Sequence, residues 1–437
     1  MSKRLLKGGR VVDPANGRDG AFDVLIDGDR IARVGRDLSV DGDVTVIDVP
    51  SGLVVCPGLI DMHVHLREPG QEHKETVASG TASAVAGGFT AVACMPNTDP
   101  INDQASVTRF ILTKAAEAGQ ARVYPIGAVS VGSRGEQLAE IGELHAAGCV
   151  AISDDGRPVA TALLMRRALE YAGMFGIPVI EHAEEPTLKG DGVAHEGAVS
   201  GLLGLRGIPG VAESIIVERD VSLAELTGGQ VHIAHMSARQ SLRAVRAGKE
   251  RGIAVTCEVT PHHFTLTHEA LNANGGYDTN VKMNPPLREE ADRAAMIEGL
   301  RDGSIDVIAT DHAPHHSDEK GLEFDRAPFG IVGLETAVPL CIDRLVHAGI
   351  IGWPRFVELL SANPARLLKV PGGTLAEGGP ADVTLLAPDQ TVTIQAAALR
   401  SKSKNTPFDG WTLRGAVGAT IVNGRFLFAA DSATLGL

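Results

Sequence analysis

Aromatic residues are scarce in this chain of 437, at 4%, while its 51 glycines imply many short turns. Five cysteines, Cys56, Cys94, Cys149, Cys257 and Cys341, are an odd number without C-x-x-C spacing. That excludes a disulfide framework and a thiolate zinc ribbon, and it suits a reducing compartment. No apolar run approaches the ~18 residues of a membrane span, and the start MSKRLLKGGRVVD has only two leucines where a signal peptide carries its apolar region. A cytoplasmic location is therefore expected. Positive charge is in deficit: Lys plus Arg is 40 against 54 for Asp plus Glu, a net charge of −14, so neither nucleic acid nor an anionic membrane surface is expected as a partner. With 44% hydrophobic and 22% charged residues, the composition is that of a globular protein and excludes intrinsic disorder. At roughly 150 residues per domain the length allows about three domains, or one large barrel with an appendage.

What is present changes character along the chain. The first 54 residues carry short β-type segments, GGRVVD, DVLIDGDRIARVG with Asp-Gly at its bend, and VTVIDVP. The pattern returns near the other end in ADVTLLAP, TVTIQ and GAVGATIVNGRFLF, where Asn423-Gly424 suits a type I′ turn. Neither set is long enough to fold alone, so the two are expected to combine into one flanking domain. Between them, apolar runs alternate with stretches of helical period such as EQLAEIGELHAAG, TALLMRRALEYAG and QSLRAVRAGKERG. Eight runs qualify as strands: LIDMHVH, TAVACMP, RVYPIGAVS, CVAISDD, IPVIEH, QVHIAH, IAVTCEV and IDVIATD. Eight β/α units over about 300 residues predict an α/β fold of the (β/α)8 TIM-type barrel class. The doubly wound alternative would show a Gly-rich fingerprint after its first strand, and none is present. The expected division is a β-sandwich shared by residues 1–54 and 369–437, with the barrel over 55–368.

Polar residues gather at the C-terminal ends of the runs, where barrel active sites are built: His63 and His65, Asp154 and Asp155, His182, His235, and Asp311. Residues two apart on a strand share a face about 6.6 Å apart, so the imidazoles of His63 and His65 can converge on one ion. His232 and His235 lie three apart, on opposite faces, and His235 is chosen because it ends its strand. Of the adjacent Asp154 and Asp155 only one can face the metals, and spacing does not decide which. Several carboxylates with four histidines suggest a dinuclear site.

Taken in order, PGLIDMHVHLREPG, GGFTAVACMPNTDP, SDDG, VIEHAEE, KMNPPLR, ATDHAPH and RAPFGIVGLET resemble the bacterial class I dihydroorotases of the amidohydrolase superfamily, and the likeness extends to KSKNTPFDGWTLRG. The resemblance implies reversible cyclisation of N-carbamoyl-L-aspartate to L-dihydroorotate in pyrimidine synthesis, with two Zn2+ per subunit. It implies that His63 and His65 bind one metal, completed by Asp311, and that His182 and His235 bind the other. Asp155 would take the bridging place that a carboxylated lysine holds in related hydrolases, since this chain has no lysine on that strand, and Asp154 is the fallback. Asp311 would also be the catalytic proton carrier. The same likeness assigns Arg67 and Asn97 to the substrate carboxylate, and Asn284, His315 and the Phe329-Gly330 backbone to the ring. A guanidinium fork matches a carboxylate, whereas turn formation is the rival role for Asn97 and Asn284.

Two other readings compete. A dihydropyrimidinase, hydantoinase or allantoinase would act on a ring without a carboxylate, which Arg67 argues against. A silent scaffold for aspartate transcarbamoylase would be expected to lose metal ligands, and this chain keeps every one. A homodimer is common for an acidic barrel of this size, and association with a transcarbamoylase is compatible with the resemblance. Residues 312–330 form a polar stretch that suits either a lid or a long βα loop. His262 and His263 are expected to be structural, and His73, His145, His195, His268 and His347 to lie on the surface.

Overall fold

The computed structural model describes residues 3–430, so residues 1–2 and 431–437 of the expected terminal segments lie outside it. Eight parallel strands, Leu59–Val64, Phe89–Cys94, Arg122–Gly127, Ala151–Ile152, Val179–Glu181, Val231–Ile233, Val255–Val259 and Val307–Ile308, pair in chain order. Seven fall within one of the predicted runs, and the second begins one residue ahead of its run, at Phe89. The ring closes where Val64 bridges His312 in parallel and the His65 amide donates to the His312 carbonyl at 2.9 Å. Both faces are buried, which is why the strands read as continuous apolar runs. Ala93, Met95, Ile126, Ile180 and Ala234 fill one core with Leu368, while neighbours such as Val92, Cys94, Val179 and Ile233 pack in the larger core shared with the helices. This alternation follows the two-residue period of a strand.

The chain termini form a second, eight-stranded sheet, with Val54–Pro57 as its seam. That strand pairs with Lys3–Asp13 on one side and with Val383–Thr393 on the other. Backbone bonds from Ile31 to Gly379 and from Ala381 to Asp29 curl the sheet round, so that Leu6, Ile26, Ile31, Val383, Leu385 and Ile421 share one core. Asn423 and Gly424, with φ of 51° and 70°, make the tight turn between Thr412–Val422 and Arg425–Ala429. Asp382 ties the two units: it accepts from Arg122 Nε at 2.7 Å and from the Asn423 amide at 2.8 Å.

Two expectations need correcting. In EQLAEIGELHAAG only Ile141–Ala147 is helical, because the preceding residues are drawn into a hairpin-like contact in which Ala139 N donates to Val129 O and Val131 N to Gln137 O. His195 and His268 are buried, not surface. Their rings lie 5.5 Å apart and His195 Nδ1 accepts from Arg288 at 3.2 Å. No helix among the described residues is long and apolar enough to cross a membrane.

Candidate active site

The polar strand ends converge at one mouth of the barrel. The pairing of the first and second strands slips between Asp61 and Val64, and His63 sits in that irregularity; bulges of this kind re-aim side chains. Arg67, His235 and Asp311 all hold left-handed backbone, with φ of 61°, 31° and 47°. Such conformations cost about 1–3 kcal/mol each and persist where the surroundings dictate them.

His63 Nε2 lies 3.4 Å from both Asp155 Oδ1 and Asp311 Oδ1. His65 Nε2 lies 3.0 Å from Asp311 Oδ1 and 3.5 Å from Asp155 Oδ2. On the other side of Asp155, its Oδ1 is 3.7 Å from His182 Nδ1 and 3.5 Å from His235 Nε2, and these two nitrogens are 2.8 Å apart. Two donor sets, His63-Asp155-His235 and His63-His65-Asp311, each bring their ligand atoms within 4.8 Å of one another. His63 Nε2 and Asp155 Oδ1 are buried without a hydrogen-bond partner, which is costly unless a cation satisfies them. The donor set of imidazoles and carboxylates fits a divalent metal of the zinc type. Burial works against ionisation of Asp155, but His63, His182 and His235 hold its carboxyl well below the usual range.

Surrounding groups fix the tautomers. Glu258 accepts from His63 Nδ1 at 2.6 Å and Asn97 Oδ1 accepts from His65 Nδ1 at 2.8 Å, which leaves both Nε2 lone pairs facing inward. Glu258 also takes the His235 amide and His232 Nε2, each at 3.2 Å. Sequence reasoning passed over Glu258 altogether; its signal was a lone carboxylate in the otherwise apolar run IAVTCEV. Asp154 points away, accepting from the Ser130 amide at 3.0 Å, so Asp155 is the aspartate that meets the histidines. His263 is structural, bound to Thr260 Oγ1 and Pro285 O at 2.7 and 2.9 Å.

The remaining expected residues line or border a cavity of about 210 Å³ at this mouth, among them Arg67, Asn97, Asn284, His315 and Phe329. Arg67 is buried, with Nε donating to Pro314 O at 3.2 Å and Nη2 3.3 Å from His315 Nε2. Among the described residues no carboxylate forms an ion pair with it. Burial pushes its guanidinium down to about 10, against the pull of Asp311 and Asp155. The His315 imidazole is held well below its ordinary range, by burial first and then by the Arg67 charge. Asn284 Nδ2 lies 3.1 Å from His182 Nε2. Gly330 itself is turned aside, its amide on Lys282 O and its carbonyl on Asn405, both at 2.9 Å. A larger cavity of about 740 Å³ lies between the terminal sheet and the barrel, but its Arg10 and Arg414 are paired with Asp19 and Asp389 and it holds no convergent ligand set.

A closed β/α barrel with a curled terminal sheet and imidazole-carboxylate donors at the strand ends defines a cyclic amidohydrolase of the metal-dependent class. The fold is shared by an L-hydantoinase (dihydropyrimidinase) from Arthrobacter aurescens, with a TM-score of 0.86 over 98% of this chain and 96% of that one at 24% identity. A dihydropyrimidinase from Brevibacillus agri has a TM-score of 0.83 over 97% and 94%, also at 24% identity. A dihydro-orotase-like family model matches residues 52–241. The dihydroorotase of Syntrophotalea carbinolica is 54% identical over 98% of this chain and 99% of its own length, and that of Geobacter metallireducens 53% over 97% and 99%. The chain belongs to the dihydroorotase family.

Proposed function

We propose that this dihydroorotase interconverts N-carbamoyl-L-aspartate and L-dihydroorotate at the mouth formed by His63, His65, Asp155, His182, His235 and Asp311, with two zinc ions per chain. The observation that carries the substrate is Arg67: a buried guanidinium that, among the described residues, forms no ion pair with a carboxylate is a costly arrangement that a carboxylated ring completes and an uncharged dihydropyrimidine or hydantoin does not. His63, His65 and Asp311 would hold one metal and His182 and His235 the second, with Asp155 between them. Bound there, the metals supply Lewis acidity toward the amide carbonyl and lower the pKa of water.

The chain's own groups do the rest. In ring opening, water adds to the amide carbonyl and the bond from that carbon to the ring nitrogen breaks. Asp311, ionised in this setting, takes the proton from water and delivers it to the departing ureido nitrogen. Closure reverses this, and because it turns one carboxylate into an amide it consumes a proton, so low pH favours dihydroorotate. Arg67 holds the ring carboxylate, while Asn97, Asn284, His315 and Phe329 frame the ring, and Gly330, its amide and carbonyl already bonded, sets the turn behind Phe329. The complete ligand set speaks against a silent scaffold. Five buried, unpaired cysteines suit a reducing cytoplasm.

The test is metal per chain in protein purified without chelator, alongside ring opening of L-dihydroorotate, dihydrouracil and allantoin. About two zinc ions with turnover of L-dihydroorotate alone is the expected result. Turnover of the uncharged rings would remove the role given to Arg67, and bound metal without turnover would favour a scaffold.

A further inference from the structure

One wall of the cavity is built from the segment that follows the eighth strand, through Ala313, His315 and Phe329. Only Ser317–Lys320 of residues 313–330 is helical, so the main-chain polar groups of this stretch need other partners. Three side chains supply them. Asn405, from the segment that leads into the last two strands, accepts from the His315 amide at 3.0 Å and donates to Ala313 O and Gly330 O at 3.0 and 2.9 Å. Lys320 Nζ donates to Pro328 O at 3.0 Å and Gly330 O at 3.2 Å. Lys282 Nζ donates to Phe324, Asp325 and Ala327 carbonyls at 2.5, 3.2 and 2.7 Å and lies 4.8 Å from the Phe329 ring centre.

All three residues are buried, and among the described residues neither lysine forms an ion pair with a carboxylate. Two buried lysine amino groups met by carbonyl dipoles are an expensive way to tie down a loop, and here they hold a particular piece of backbone. Gly330 shows how closely: a Cβ there would lie 2.5 Å from Ala313 O and 2.6 Å from His315 Cδ2. The Phe329-Gly330 turn is thus pressed against His315 and tied in place by buried bonds on Gly330 O from Asn405 and Lys320.

We propose that Lys282, Lys320 and Asn405, none of which lines the cavity, are positioning residues that hold His315 and the Phe329-Gly330 backbone as a preformed wall. Substrate then meets these groups without closure of the 313–330 segment, which is not a lid. The inference rests on the assignment of His315 and Phe329 to the substrate.

The experiment compares Asn405→Ala, Lys282→Met and Lys320→Met with Lys282→Arg and with His315→Ala, reading KM, kcat, metal per chain and hydrogen exchange of residues 313–330. In the parent enzyme this segment should be equally protected with and without dihydroorotate. The three variants should raise KM about 5–50-fold with kcat within about threefold, keep their metal, and exchange faster in 313–330. Lys282→Arg, which still donates to the carbonyls, should recover part of the loss. Unchanged KM in the three variants with a raised KM in His315→Ala overturns the positioning role alone. An unchanged KM in His315→Ala overturns the substrate assignment, and the inference with it. Protection gained on substrate binding in the parent enzyme would show a lid. Should Asn405→Ala yield no folded protein, Lys320→Met leaves Asn405 in place and carries the same test.

Discussion

Arg67, Asp311 and Glu258 separate three tasks that the site performs together. Replacing Arg67 by Ala removes the group proposed to meet the ring carboxylate, so KM for L-dihydroorotate should rise about 10²-fold while kcat falls much less; steady-state kinetics in the ring-opening direction would read this, and an unchanged KM would take Arg67 out of the substrate site. Asp311→Asn keeps an oxygen near His63 and His65 but cannot carry a proton. Turnover should drop about 10²–10⁴-fold in both directions with substantial metal retained, whereas activity close to that of the parent would end the proton-carrier role. Glu258 does not line the cavity; it holds the His63 ring through a 2.6 Å contact. Glu258→Gln should weaken metal binding about 10–100-fold, measured by competition with a chelator, and an unaltered affinity would reduce Glu258 to a packing role.

At the scale of elements, Lys320 makes the 313–330 segment sensitive to pH. Burial lowers its ammonium to about 7 from an unfolded value of 10.5, with Lys282 adding to the effect and Asp278 and Glu319 opposing it. Between those two values the unfolded chain holds a proton that the folded chain has released, so unfolding takes up a proton and stability rises with pH. Relative to Lys320→Met, the parent enzyme should gain up to about 1.4 kcal/mol per pH unit across pH 7–10, as followed by denaturant unfolding; parallel curves for the two proteins would contradict it. The strands that carry the site were legible because each is an apolar run ending in a histidine or aspartate. The choice of Asp155 over Asp154 was not, since both follow the short strand Ala151–Ile152 and it is Ser130, through its amide and hydroxyl, that turns Asp154 away. Glu258 and Asn405 escaped for a related reason. Their roles are defined by partners 195 and 90 residues distant, His63 and His315, and neither the lone carboxylate of IAVTCEV nor the KSKN segment says which partner it meets. His195 and His268 looked like surface residues because each is isolated in sequence, whereas Arg288 and the fold bring them together.

For the molecule as a whole, the terminal sheet is part of the working enzyme, since the segment carrying Asn405 reaches the cavity wall and Asp382 bonds across to Arg122. Asp382→Ala takes the carboxylate from a partly buried guanidinium and leaves it only the Asn423 side-chain oxygen, and should cost roughly 2–3 kcal/mol. Calorimetry should still show one transition for both units, and two well-separated transitions would mean that they fold independently. The seam strand Val54–Pro57 has a further consequence for how the protein is made. Its partner, Val383–Thr393, follows some 330 residues later, so at about 5–20 residues per second the ribosome leaves one sheet edge uncovered for roughly half a minute. Throughout that interval the emerging chain carries an unpaired β-edge able to accept a strand from a neighbouring polypeptide. How quickly translation crosses the residues between these two strands therefore sets how long each nascent molecule stays open to aggregation.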